Sequence, residues 1–74
     1  MDYKGVLKNV VLKDVGRRKI SVLKAARELT GLGLKETKNL IDSAPCVLLK
    51  NVPVSFAEEA KEFLEAQGAV VEID

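Results

Sequence analysis

The side chains in this chain best suited to chemistry are cations set among aliphatics. Ile20, Leu23, Lys24 and Arg27 recur at i, i+3, i+4 and i+7, so on a helix they share one side. Lys19 precedes them, Arg17 and Arg18 stand just before it, and Lys35 and Lys38 follow one helical turn apart. Cations around aliphatic anchors do binding chemistry: the charges steer an acidic partner and the apolar groups supply desolvation energy. The groups that turnover needs are missing. There is no histidine, which removes the commonest general base and metal ligand, and Cys46 is the single cysteine. No paired-cysteine metal motif, nucleophile elbow or phosphate loop occurs, and Gly31-Leu32-Gly33 is too short to cradle phosphate. Glu58, Glu59, Glu62 and Glu65 alternate with apolar residues and read as a solvated helix face. Cys46 sits among apolar neighbours and reads as packing. An enzyme is therefore not expected, and no cofactor or metal is called for.

Six elements position these residues. Val6 to Val15 carries no helical stripe, and its Val10-Val11-Leu12 run predicts a buried strand that Gly16 breaks. Lys19 to Thr30 has helix-forming composition and ends at Gly31, a C-cap glycine. Leu34 to Ser43 predicts a second helix with Leu34, Thr37, Leu40 and Ile41 inward. Ala44-Pro45 closes it, since a residue before proline avoids helical angles. Cys46 to Val52 predicts a second strand. Ser55-Phe56-Ala57-Glu58 has the form of a capping box opening a third helix, with Phe56, Ala60, Phe63 and Leu64 inward. Gly68 stops that helix, and Ala69 to Ile73 predicts a third strand.

The order strand, helix, helix, strand, helix, strand predicts an α+β domain: a two-layer sandwich with three helices on one face of a three-stranded sheet. Two helices in series turn the second strand against the first, and one helix returns the third parallel to the second. A central first strand would make both its pairings antiparallel.

A length of 74 residues allows one domain, and 47% hydrophobic with 31% charged residues fits a globular one. Apolar runs are too short to span a bilayer. Without a secretory layout at Met1-Asp2-Tyr3-Lys4, and with one unpaired cysteine, a reducing cytoplasmic setting is expected. The net charge of +1 conceals a split. Residues 1–38 hold ten Lys/Arg against four Asp/Glu, and residues 39–74 hold two against seven, giving +6 and −5. The acidic third helix is expected to keep the domain from adhering to RNA.

On the helix 19–30, Val22, Ala25, Ala26 and Leu29 fall in about one 100° sector, which suits packing on the sheet. The opposite side carries Ile20, Leu23, Lys24 and Arg27, and its cations argue against burial. Ile20 and Leu23 are then ordinary exposed aliphatics, or partly covered by the second helix, or apolar anchors of a docking patch ringed by Lys19, Lys24, Arg27 and Arg18, with Lys35 and Lys38 on the same edge if the two helices are neighbours.

The run Lys19-Ile20-Ser21-Val22-Leu23-Lys24-Ala25-Ala26-Arg27, then Thr30-Gly31-Leu32-Gly33-Leu34-Lys35-Glu36 and Ser43-Ala44-Pro45, resembles the C-terminal domain of the bacterial ribosomal stalk protein family. Gly68-Ala69-Val70-Val71-Glu72 matches the family's close. The resemblance covers residues 9–74, with residues 1–8 matching weakly. It implies a non-catalytic module that captures translational GTPases: elongation factors G and Tu, initiation factor two and release factor three. By the same resemblance the factor-binding residues are Lys19, Ile20, Leu23, Lys24, Arg27, Lys35 and Lys38, and Gly31 and Gly33 form the helix corner. The family also has an N-terminal dimerisation domain and an Ala/Gly-rich hinge. Neither is expected here, so ribosome attachment would need that missing half. A free-standing protein–protein adaptor of the same fold is the alternative. RNA binding is a further rival, but the aromatics Tyr3, Phe56 and Phe63 are not interleaved with the basic residues as base stacking would want.

Overall fold

A computed structural model describes residues 6–74. Strand β1 (Leu7–Asp14) occupies the centre of the sheet, in the order β2-β1-β3, with β2 (Cys46–Pro53) and β3 (Val70–Ile73) both antiparallel to it. Successive strand side chains point to opposite faces. Val10 and Leu12 accordingly go fully into the core while Lys13 points to water, and Val11 is half-buried on the open face. The run Val10-Val11-Leu12 is thus buried by alternation, because helices cover one face of the sheet only. Lys13 pairs with Glu72 across β1 and β3 at 3.6 Å.

Register against β2 is irregular between Lys8 and Val10 and again between Val10 and Val11. At the first irregularity Asn51 adopts φ 53°, and its N–H donates to Asn9 Oδ1 at 3.0 Å. Asparagine tolerates this left-handed geometry better than most side chains.

Three helices form the second layer: α1 (Lys19–Thr30), α2 (Leu34–Asp42) and α3 (Val54–Glu65). The core they close over the sheet contains Val10, Leu12, Val22, Leu23, Ile41, Leu48, Leu64 and Val71, with Ala25, Ala26, Ala57 and Ala60 allowing close approach. Each fully buried valine or leucine here contributes about 1.5–3 kcal/mol relative to exposure. Among the described residues no buried side-chain polar atom lacks a hydrogen-bond partner.

Three sequence expectations change. The Ser55 capping box does not form, because α3 begins at Val54, two residues before the Phe56 start that a Ser55 cap requires, with Pro53 in the cap position. The fixed φ of proline suits a helix entry, and the Val54 N–H donates to the Val6 carbonyl at 3.2 Å. The inward face of α3 is Ala57, Ala60 and Leu64, with Phe56 half-buried and Phe63 exposed on its flanks. Leu34, expected inward, is 53% exposed. It is the first residue of α2, beyond the reach of the core, whereas Thr37 and Ile41 are buried as expected.

Candidate functional site

The corner between α1 and α2 is built by two glycines with different tasks. Gly31 ends α1 at φ 73°, left-handed backbone that glycine enters without steric cost, and its N–H donates to the Arg27 carbonyl at 3.0 Å. Gly33 is extended and opens α2, its N–H donating to Glu36 Oε1 at 3.2 Å. Its carbonyl accepts from both the N–H and the hydroxyl of Thr37, at 2.9 and 2.8 Å. Thr37 is wholly buried, so this pairing satisfies a polar group that would otherwise be stranded. The result is a helical hairpin with α2 returning beside α1.

The open end of that hairpin is closed by charge. Asp42, the last residue of α2, accepts from Lys19, the first residue of α1, at 2.6 Å and from Lys38 at 3.0 Å. The Lys19 and then the Lys38 hydrogen bonds hold the Asp42 carboxyl below its usual pKa. Two of the seven expected docking residues are therefore engaged within the domain.

The others divide. Ile20 is 63% exposed, Lys24, Arg27 and Lys35 point to solvent, and among the described residues these three cations make no ion pair. Lys24 and Arg27 line a shallow groove of about 540 Å³ with Glu28, Gly31 and Leu32. Leu23 behaves differently. It is only 8% exposed and belongs to the core, against the expectation that its basic neighbours keep it at the surface. The reason is its azimuth: Leu23 lies one turn after Lys19, and Lys19 reaches across to α2, so that flank of α1 is covered by its neighbour.

Two features of the surface were not singled out beforehand. Leu32 and Leu34 flank Gly33 and are both exposed, adding apolar area beside the cations. The glycines could have signalled this, since a corner without side chains leaves adjacent leucines uncovered. Phe63 comes next to the basic residues through folding alone. It lines a second groove of about 170 Å³ with Ser21, Lys24, Ala25, Glu28 and Gln67, where α1 meets α3. The aromatics are still not interleaved with the cations, since Phe63 adjoins Lys24 alone in that groove, and Tyr3 lies outside the described residues.

Burial pushes the Cys46 thiol pKa up, which disfavours the nucleophilic thiolate. Among the described residues no group of histidine, cysteine and carboxylate side chains could hold a metal ion. No described helix is long and apolar enough to cross a membrane. The arrangement suits reversible docking.

Residues 8–74 match the family model described as Ribosomal protein L7/L12 C-terminal domain. Similar curated proteins are named large ribosomal subunit protein bL12. One from Dehalococcoides mccartyi is 57% identical over 65 residues, covering 88% of this chain and 53% of that protein. One from Dictyoglomus thermophilum is 58% identical over 65 residues, covering 88% and 52%. One from Pseudomonas fluorescens is 54% identical over 65 residues, covering 88% and 54%. The chain spans about half the length of the curated relatives it matches. With a family match over nearly all its residues, and a helical hairpin that presents cations and aliphatics rather than catalytic groups, this chain belongs to the ribosomal protein L7/L12 C-terminal domain family.

Proposed function

We propose that the outer edge of α1 and the corner into α2 dock translational GTPases, so that the domain recruits them to the ribosome and supports their GTP hydrolysis there without catalysing it. The observation that carries this reading is the exposed ridge of Ile20, Lys24 and Arg27, which borders a groove with Leu32 at its edge. Ile20 and Leu32 offer apolar contact, and Lys24, Arg27 and Lys35 offer charge to an acidic surface. Leu23 acts from beneath by seating α1 on the core. Lys19 and Lys38 belong to the surface as cations shared with Asp42. The partner class is the one that the family resemblance implies: elongation factors G and Tu, initiation factor two and release factor three. Membership in the family supports a setting at the ribosome, in the cytoplasm.

The test is binding of purified elongation factor G to Lys24→Glu and Arg27→Glu chains. Affinity is expected to fall about tenfold or more, as for charge reversal of central interface cations. Circular dichroism and melting are expected to be unchanged, because both side chains are exposed. Unchanged affinity in a folded variant would remove this surface as the docking site.

A further inference from the structure

The carboxylate of Asp42 stands against the electrostatics of its own helix. The C-terminus of a helix carries partial negative charge and the N-terminus partial positive charge. Asp42 is at the C-terminal end of α2 and Lys19 at the N-terminal end of α1, so each charge is at the unfavourable end of its own helix. Each is at the favourable end of its neighbour, because the two ends meet at 2.6 Å. Asp42 therefore does its work between the helices, not within α2.

The surroundings indicate what that work is. Beside the clasp lies a groove of about 360 Å³ whose walls include Lys13 and Lys19 alongside Asp14 and Asp42. Lys38 reaches Asp42 from the other side, and Arg17 and Arg18 stand exposed on the turn before α1. Without the carboxylates, that end of the domain would be a concave cluster of cations, a form that attracts phosphate chains. The Asp14 carboxylate is occupied locally, accepting from the Gly16 N–H at 3.0 Å. Asp42 faces the lysines directly.

We propose that Asp42 is a specificity-determining residue of the docking surface: by sharing its carboxylate between Lys19 and Lys38 it withholds both from nucleic-acid phosphate while leaving Lys24, Arg27 and the exposed aliphatics to an acidic protein. The proposal rests on the docking reading above for its protein partner, and its nucleic-acid half stands alone. A protein partner contributes apolar contacts and a few carboxylates, so it gains little from two more free lysines. A polyanion gains from every cation released.

The experiment uses Asp42→Asn, which keeps the shape and removes the charge, and Asp42→Glu, which restores the charge. Glu58→Gln on α3 makes the same change in net charge elsewhere. Each chain is titrated with a labelled RNA duplex over a salt series and with purified elongation factor G. Asp42→Asn is expected to tighten RNA binding about tenfold at about 50 mM salt and to steepen the salt slope by about two, the signature of two further phosphates neutralised. Its affinity for the factor is expected to change less than about threefold. Asp42→Glu is expected to behave as the parent chain, and Glu58→Gln to move RNA affinity by less than about twofold. Equal RNA tightening in Asp42→Asn and Glu58→Gln would overturn the proposal, because net charge alone would then suffice. Equal tightening toward RNA and factor would also overturn it, because selectivity would be absent. If the parent chain does not bind the factor, the docking reading fails while the RNA comparison still decides the role of Asp42.

Discussion

Leu23 and Ile20 stand three residues apart on α1 and have opposite fates, one 8% and the other 63% exposed. Both lie beside cations, so their neighbours in sequence do not separate them. Position around the helix does, because α2 covers the flank that bears Lys19 and Leu23 and leaves open the flank that bears Ile20 and Lys24. Leu23→Ala is therefore expected to cost about 2–4 kcal/mol of folding stability, measured by urea unfolding, the range for truncating a leucine in a packed core. Any loss of factor affinity in that variant should follow from a loosened α1. Ile20→Ala should leave the unfolding midpoint nearly unchanged and act on binding alone. A Leu23→Ala chain as stable as the parent would show that the flank is not packed.

Within the elements, the glycines at turns differ in a way that no helix or strand propensity conveys. Gly31 and Gly16 both have positive φ, at 73° and 80°. A Cβ built at Gly31 meets no other atom within 4 Å, whereas at Gly16 it would overlap the carbonyl oxygen of Gly68 on the turn after α3. Gly31→Ala should then cost only the backbone strain of left-handed geometry, about 1–2 kcal/mol. Gly16→Ala should cost clearly more in the same unfolding assay, because strain and overlap add. Equal costs would mean that the two turns do not pack as described. All three helices were legible because their composition agrees with the fold and so does their punctuation: Gly31 after α1, Ala44-Pro45 after α2 and Gly68 after α3. Their inward faces were less so. The first residues of α2 and α3 sit where a helix enters from a turn, and Leu34 and Phe56 occupy positions that periodicity assigns to the core and burial does not.

Across the whole molecule, charge is divided between the hairpin of α1 and α2 and the glutamates of α3. Glu58, Glu59 and Glu62 are exposed and, among the described residues, unpaired, while Glu65 pairs with Lys61 at 3.3 Å. Replacing all four by glutamine raises the formal net charge from +1 to +5. RNA affinity in a low-salt titration is then expected to rise several-fold and to return to the parent value at high salt, as for diffuse screened attraction. No change at low salt would show that the acidic helix plays no part in keeping polyanions away. This effect accrues with the number of charges removed, and it differs in kind from the local effect assigned to Asp42.

Sequence alone determined the element order and the basic edge, and its residue runs from Lys19 to Pro45 carried the resemblance to the family. The element order and the basic edge follow from short-range rules: hydrophobic period, glycine and proline punctuation, and the spacing of cations along one helix. Tertiary structure alone decided that Leu23 is core, that Phe63 adjoins Lys24, that Gly16 abuts Gly68 and that Asp42 joins Lys19 to Lys38. Each of those depends on two segments distant in the chain coming within a few ångströms of each other. A local pattern reports which way a side chain leaves its own backbone, and only the packed fold supplies what it meets there.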